Sequence, residues 1–314
     1  MRRLSRLVSA LWFAATAAAA SSRITVPDTV MVGGEFDYTV LRGDSLSAIA
    51  ARFAVSPKAV AARNRLASTK KLIPGQVLRI DNRHIVPGAL EDGILINLPQ
   101  RLLFLFEDGH VVAWYPIAIG RADWQTPTGS YEIVTKEKNP VWEVPPSIQG
   151  EMRRKGERVR AVVLPGPDNP LGNYWLGLSL SCCGIHGTNA PQSIYTFQTH
   201  GCIRLGPQNA AELFSRVSVA LSVEIVYEPV LVARDEYGTV FLEVHRDVYG
   251  RIDGNFERAA SVAESRGFRS ALKSPRWDEI LRAEAGVALP LRLDGRRAAG
   301  GADQGRPIVT SRFQ

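Results

Sequence analysis

The chain has 314 residues, of which 45% are hydrophobic and 22% charged, with a formal net charge of +7 and three cysteines. That length suggests about two domains. The composition excludes a wholly disordered chain, a collagen and a polytopic membrane protein, and so few cysteines exclude a disulfide-dense scaffold.

The first twenty residues read as an export signal. Arg2, Arg3 and Arg6 precede an apolar run from Leu7 to Ala20 that contains Ser9 and Thr16 and ends in Ala18-Ala19-Ala20 before Ser21-Ser22. A basic start, a short apolar core and small residues at the end define a cleavable signal. The run's 14 residues fall short of the about 20 that a spanning helix needs. Subtracting the three arginines lowers the charge from +7 to +4. Such a charge suits a polyanionic surface such as a cell wall, and the basic stripe of a nucleic-acid binder is missing, so no nucleic-acid partner is expected. An exported protein meets an oxidising compartment, which makes each thiol a question.

Residues 21–37 are polar, with Pro27, Gly33 and Gly34, and read as a linker. Residues 38–80 form a compact unit. Tyr38 and Val40 start a strand, and Arg42-Gly43-Asp44 turns into a helix capped by Asp44 or Ser45, with Leu46, Ile49, Ala50 and Phe53 at helical spacing. Ser56 caps a second helix with Pro57 at its first position; Asn64 ends it. Ile73-Pro74-Gly75-Gln76 then turns into the strand Val77 to Ile80. By pattern this is a small βααβ module. Gly43-Asp44-Ser45-Leu46, Ile49-Ala50, Phe53, Asn64 and Pro74-Gly75-Gln76-Val77-Leu78 stand where a LysM domain has its motif residues, and the unit resembles one closely. The resemblance implies binding of N-acetylglucosamine-containing glycan, in bacteria peptidoglycan, through loops holding Gly43, Asp44, Ser45, Pro74 and Gly75.

A second linker is expected at 81–91, followed by a mainly β domain over 92–227. Ile94 to Leu98, Arg101 to Phe106 and Val111 to Ile119 are β-rich, with a hairpin turn at Glu107-Asp108-Gly109. Tyr131 to Thr135, Val159 to Leu164 and Leu176 to Leu180 add strands. The insertion from Lys136 to Arg158 reads as a lid or as a solvated basic loop. One helix is expected in this domain, Pro207 to Val217. An extension over 228–284 holds a strand pair around Glu236-Tyr237-Gly238 and a helix from Phe256 to Ser265; residues 285–314 read as a disordered tail.

Two of the five histidines lie in His186-Gly187-Thr188 and Thr199-His200-Gly201-Cys202-Ile203-Arg204. A thiol becomes a useful nucleophile when a nearby imidazole accepts its proton, giving a thiolate–imidazolium pair. Gly201 permits a tight turn beside Cys202 and an amide facing a developing oxyanion. Arg204 falls on the same strand face as Cys202, where it can hold a carboxylate. His84, His110 and His245 read as ordinary hydrogen-bonded histidines. A metal site built from His186, His200, Cys202 and Cys182 or Cys183 would show closely paired ligands; that spacing is absent, so neither metal nor cofactor is expected. Cys182-Cys183 read as two buried small residues, as a vicinal disulfide, or as an inhibitory partner for Cys202.

His-Gly-Thr followed by Thr-His-Gly-Cys-Ile-Arg closely resembles the signature of the L,D-transpeptidase (YkuD) domain, a β-sandwich with one helix. Thr126-Pro127-Thr128-Gly129 and Pro165 to Gly172 resemble further family segments, and Val240 to Tyr249 the extension of periplasmic ErfK-type members. The resemblance implies Cys202 as nucleophile, His186 as its base, and His200 and Gly201 shaping the pocket. It implies substrate contacts at Thr199, Arg204, Gly187 and Thr188, and sensitivity to carbapenems. The implied reaction joins a tetrapeptide stem to Cys202 with release of D-alanine, then passes it to an amine: a 3-3 crosslink or attachment of an outer-membrane lipoprotein. With water as acceptor the enzyme would be a carboxypeptidase; with a vestigial site, a non-catalytic wall binder.

Overall fold

The computed structural model describes residues 30–67, 71–252 and 254–292. The expected signal peptide and most of the expected tail lie outside those residues. No helix among the described residues is long and apolar enough to cross a membrane.

The chain opens with β1 (Met31–Val32) and β2 (Glu35–Thr39), then α1 (Leu46–Arg52), α2 (Pro57–Arg63) and β3 (Val77–Asp81). Ser45 caps α1 by accepting from the Ala48 amide at 3.1 Å, and Ser56 caps α2 through Ala59 at 3.0 Å. Asp44, the other capping candidate, instead accepts from the Leu41 amide and the Tyr38 hydroxyl, at 2.9 and 2.6 Å, and so fixes the turn. β2 and β3 pair antiparallel, and Ile49, Ala50, Phe53, Val60, Leu78 and Ile80 form the core between sheet and helices.

Of the stretches expected to be linkers, residues 30–37 and 81–91 are structured. β1 pairs with β4 (His84–Ile85), and residues 84–88 are buried throughout. Their apolar side chains Val32, Val86 and Leu90 pack under Phe104, Phe106 and Trp114, so polarity and prolines here mark a buried crossing strand rather than a flexible tether.

The body comprises β5 (Gly93–Asn97), β6 (Leu102–Glu107), β7 (His110–Gly120), β8 (Gly129–Lys138), β9 (Trp142–Glu143), α3 (Pro146–Arg154), β10 (Val162–Val163), β11 (Tyr174–Leu178), β12 (Gly184–His186), β13 (Phe197–Thr199), β14 (Ile203–Leu205), α4 (Pro207–Arg216) and β15 (Ser222–Val226). Nine of these strands form one sheet in the order β13-β7-β14-β12-β11-β8-β15-β5-β6, and β6 also pairs with β7, so the sheet closes on itself. Ile96, Leu103, Tyr115, Ile117, Ile185, Ile203 and Val223 fill its interior, with Ala210 and Leu213 of α4 packed against them. The helix α3 was not expected. Pro145-Pro146 looks like a chain breaker, yet Pro146 occupies the first turn, where a missing N–H costs nothing.

The extension holds β16 (Val230–Arg234), β17 (Val240–Val244), α5 (Asn255–Ser265), α6 (Trp277–Ala283) and β18 (Leu289–Pro290), with β17 central in a three-stranded sheet. Residues 285–291, expected to belong to a disordered tail, are packed. Val287 completes the core of the N-terminal module, and Ser56 Oγ reaches the Ala285 carbonyl at 3.4 Å.

A buried polar cluster joins all these parts. Glu243 Oε1 accepts from His84 Nδ1 at 2.8 Å, His245 Nε2 at 2.7 Å and Gln100 Nε2 at 3.0 Å, while Oε2 takes the Ile85 amide at 2.6 Å. His84 Nε2 meets the Ala54 carbonyl at the end of α1, at 3.0 Å. His84, Glu243 and His245 are the one group of described residues with metal-ligand spacing, but each facing atom already serves a hydrogen bond. His84 and His245 are thus hydrogen-bonded histidines, as expected, and they bolt the N-terminal module to the extension and the body.

Candidate active site

β12 and β14 lie side by side and parallel, with Ile185 opposite Ile203 and His186 opposite Arg204. Ile185, Ile203 and Leu205 point into the core. Strand alternation therefore sends His186, Cys202 and Arg204 to the other face, where they line a cleft of about 460 Å³ with Thr199, His200 and Cys182.

His186 is buried, and its Nδ1 lies 2.6 Å from the Gly187 carbonyl. A carbonyl only accepts, so Nδ1 carries the hydrogen and Nε2 is left with its lone pair. The Trp175 indole stacks on the ring, 6.1 Å between centroids. Burial, aided by the Arg204 guanidinium, holds the His186 pKa down at about 3. Burial also pushes the Cys202 thiol up, against a Gly184 backbone hydrogen bond and the Arg204 charge. Burial thus favours the neutral form of both groups, rather than the resting thiolate–imidazolium pair expected from the sequence.

The turn before the thiol is braced from several sides. Thr199 Oγ1 donates to the Cys202 carbonyl at 2.6 Å and accepts from the Gly201 amide at 3.2 Å. Thr126, fully buried, donates to the Gly201 carbonyl at 2.8 Å. Gly201 has φ +107°, and a Cβ there would come 3.1 Å from Cys183 Sγ, so only glycine fits without strain. Arg204 donates from Nη1 to Ser193 Oγ at 2.8 Å, while its buried Nε has no partner.

His200 faces the insertion. Its Nε2 lies 2.6 Å from Glu151 Oε2, and its ring meets Trp124 edge-on at 4.7 Å. Gly187 and Thr188 are absent from the cleft lining: Gly187 supplies the carbonyl that holds His186, and Thr188 Oγ1 accepts from the Ala190 amide at 2.9 Å. Thr126, Ser193, Arg121, Trp124 and Glu151 were not singled out as site residues from the sequence. Thr126 alone sat in a segment marked by resemblance; the others are spread along the chain without a motif.

Cys182 and Cys183 are joined to each other and Cys202 is a free thiol. The pair is therefore neither two buried thiols nor a bond to the candidate nucleophile; Cys182 is exposed on the cleft and Cys183 buried.

On the N-terminal module, Gly75 (φ +87°) sits at the corner of the Ile73 to Gln76 turn, closed by Gln76 N to Ile73 O at 2.9 Å. Bonds between Val40 and both Gly75 and Gln76, each 2.8 Å, lay this turn beside the Arg42-Gly43-Asp44-Ser45 turn. Leu41 and Ile73 stand exposed here, at 57% and 64%.

A closed β body with this cysteine–histidine cleft, preceded by a βααβ module, defines a two-part protein that known families account for. The model of the L,D-transpeptidase catalytic domain (YkuD) matches residues 91–225, and the LysM domain model matches residues 38–81. Among proteins of Escherichia coli (strain K12), "Probable L,D-transpeptidase ErfK/SrfK" is 32% identical over 251 residues, 78% of this chain and 81% of the relative. "Probable L,D-transpeptidase YcfS" is 33% identical over 229 residues, 70% and 71% of the two chains. "Probable L,D-transpeptidase YbiS" is 28% identical over 291 residues, 90% and 94%. The chain belongs to the L,D-transpeptidase family and carries a LysM domain ahead of its catalytic domain.

Proposed function

We propose that this protein is an exported, cysteine-dependent enzyme of the cell wall that transfers peptidoglycan tetrapeptide stems. The observation that carries the reading is the Nδ1 hydrogen bond of His186 to the Gly187 carbonyl, at 2.6 Å. It leaves Nε2 as the basic atom of a cleft shared with Cys202 and Arg204.

The steps follow from those positions. As Cys202 Sγ attacks the carbonyl at the L-centre of meso-diaminopimelate, His186 Nε2 takes the thiol proton. Both groups start neutral, so the proton moves with the attack. The tetrahedral oxyanion faces the turn amide at Cys202, since the Gly201 amide already donates to Thr199 Oγ1. His186 returns its proton to the departing D-alanine nitrogen, the C–N bond breaks, and a thioester remains. An amine then attacks the thioester, losing a proton to His186, which passes it to the leaving Cys202 sulfur. Spare guanidinium donors on Arg204 suit a carboxylate of the donor stem. The acceptor is a second stem's diaminopimelate amine or a lysine of an outer-membrane lipoprotein; water would give a carboxypeptidase.

The LysM domain and the catalytic domain together imply peptidoglycan as partner. The paired turns at Gly43 to Ser45 and Pro74-Gly75 support glycan docking, with Leu41 and Ile73 offering apolar surface to sugar rings. Residues 1–20 would direct export to the periplasm. Intact-protein mass spectrometry after carbapenem treatment tests the catalytic reading: one adduct is expected. Absence of an adduct, or one that survives Cys202→Ala, would refute it.

A further inference from the structure

Resting on Cys202 as the acylated thiol, we propose that Glu151 is a positioning residue for the reaction: it holds the His200 imidazole, and through it the turn that carries Cys202.

Glu151 is the one buried residue of α3. An amphipathic surface helix ordinarily buries aliphatic side chains; this one buries a carboxylate and leaves Arg153 and Arg154 exposed. The carboxylate faces two cations and an imidazole. Oε2 lies 2.6 Å from His200 Nε2 and 3.0 Å from Arg121 Nη2, and Oε1 lies 3.3 Å from Arg121 Nη1 and 2.7 Å from Lys155 Nζ. Only Lys155 belongs to the same helical segment; Arg121 follows β7 and His200 precedes the thiol.

An ionised carboxylate accepts only, so the 2.6 Å contact requires a hydrogen on His200 Nε2; Arg121 Nη1 comes within 3.2 Å of the same nitrogen, but that longer approach yields to the shorter one, and the guanidinium donates to Glu151 instead. Glu151 thereby sets the tautomer, and Trp124 fixes the ring plane from the side, its own ring capped by Arg121 at 5.4 Å. His200 is two residues from Cys202, in a turn whose other contacts, from Thr199 and Thr126, act on the backbone of residues 201 and 202. Glu151, with Trp124 and Arg121 beside it, acts on a side chain of the turn from outside the sheet. A displacement of the reacting atoms by about 1 Å costs on the order of 100-fold in rate, so a residue that never touches substrate can still set the acylation rate.

The experiment uses the full chain and the variants Glu151→Ala and Glu151→Gln. Long-range proton–nitrogen spectra of histidine-labelled protein report the His200 tautomer, and intact-mass time courses report acylation of Cys202 by a disaccharide tetrapeptide. In wild type, His200 is expected as the Nε2–H form. Glu151→Ala is expected to mix the tautomers and to slow saturated acylation about 10- to 100-fold, with half-saturation shifted less than about 3-fold. Glu151→Gln, whose amide oxygen accepts the same hydrogen, is expected to recover most of the rate. An unchanged tautomer in Glu151→Ala, a loss confined to half-saturation, or a Gln variant as slow as Ala would overturn the proposal. If wild type is not acylated at all, the functional reading fails, and the tautomer spectra alone decide the positioning of His200.

Discussion

Replacing Glu243 by alanine removes the acceptor at the centre of the cluster that joins the module, the body and the extension. Four donors lose this acceptor, His84 Nδ1, His245 Nε2, Gln100 Nε2 and the Ile85 amide, of which Gln100 Nε2 keeps the Ile85 carbonyl. Breaking a buried pair by deleting one member costs about 3–5 kcal/mol. At roughly 2–4 °C per kcal/mol for chains of this order of size, the melting temperature should fall by about 6–20 °C. Burial works against ionisation of Glu243, but the charges and hydrogen bonds of His84 and His245 outweigh it and hold the carboxyl below its ordinary range. A carboxyl with a depressed folded pKa stabilises fully above its unfolded value, about 4.3, and loses that contribution as pH falls below it. The gap between wild type and Glu243→Gln should therefore be widest near pH 7 and shrink steadily below about pH 4. Thermal scans by circular dichroism at both pH values measure this. Melting of Glu243→Ala within about 2 °C of wild type at pH 7, a difference of less than about 1 kcal/mol, would refute the role of the cluster.

His186 is held at a pKa of about 3, and a base acts only above its pKa, so the rate of carbapenem acylation should stay nearly flat from pH 7 down to about 5; an acid limb near 6.5, the ordinary histidine value, would contradict the buried neutral base. Gly201→Ala places a methyl 3.1 Å from Cys183 Sγ at φ +107°, and should cost about 1–3 kcal/mol and suppress Cys202 acylation; a fully active, equally stable variant would count against the turn geometry. Leu41→Ser with Ile73→Ser should weaken co-sedimentation with insoluble peptidoglycan and leave melting unchanged, since both side chains are exposed; unchanged sedimentation would move the glycan surface elsewhere. Deleting residues 38–80 would be a poorer probe, because it uncovers Val287 and takes the Ala54 carbonyl from His84. Peptide mapping without reductant should find Cys182 linked to Cys183 and Cys202 free; a bond to Cys202 would contradict the observed pairing.

The parts legible in the sequence are those whose signal is local. Caps, turn residues and helical or alternating periods lie within a few positions of one another, so Ser45, Ser56, Gly75 and the hairpin at Asp108-Gly109 stand out unaided. Likewise the motif from Thr199 to Arg204 brings its residues together along one strand and the turn before it. What escaped depends on distance along the chain. Glu151 meets His200 only because α3 lies along the cleft, and Val287 reads as tail until it is found in the core of a module that begins some 250 residues earlier. Polar composition misled at residues 81–91 for a related reason: Asp81, His84 and their neighbours are polar to serve ion pairs and hydrogen bonds that only the fold supplies.

That shared core also bears on the order of folding. The LysM module is made before the extension, yet Val287 and Ala285 of that extension complete its core. Contacts of such high sequence separation form late, because the loop must close before they give any return. On the proposed export route, a chain leaving the cytoplasm N-terminus first would carry its module incomplete, with part of its apolar face uncovered, until the extension arrived. Completion of the module's core would wait for the extension, so that a truncated product lacking residues 285–291 would leave that core open.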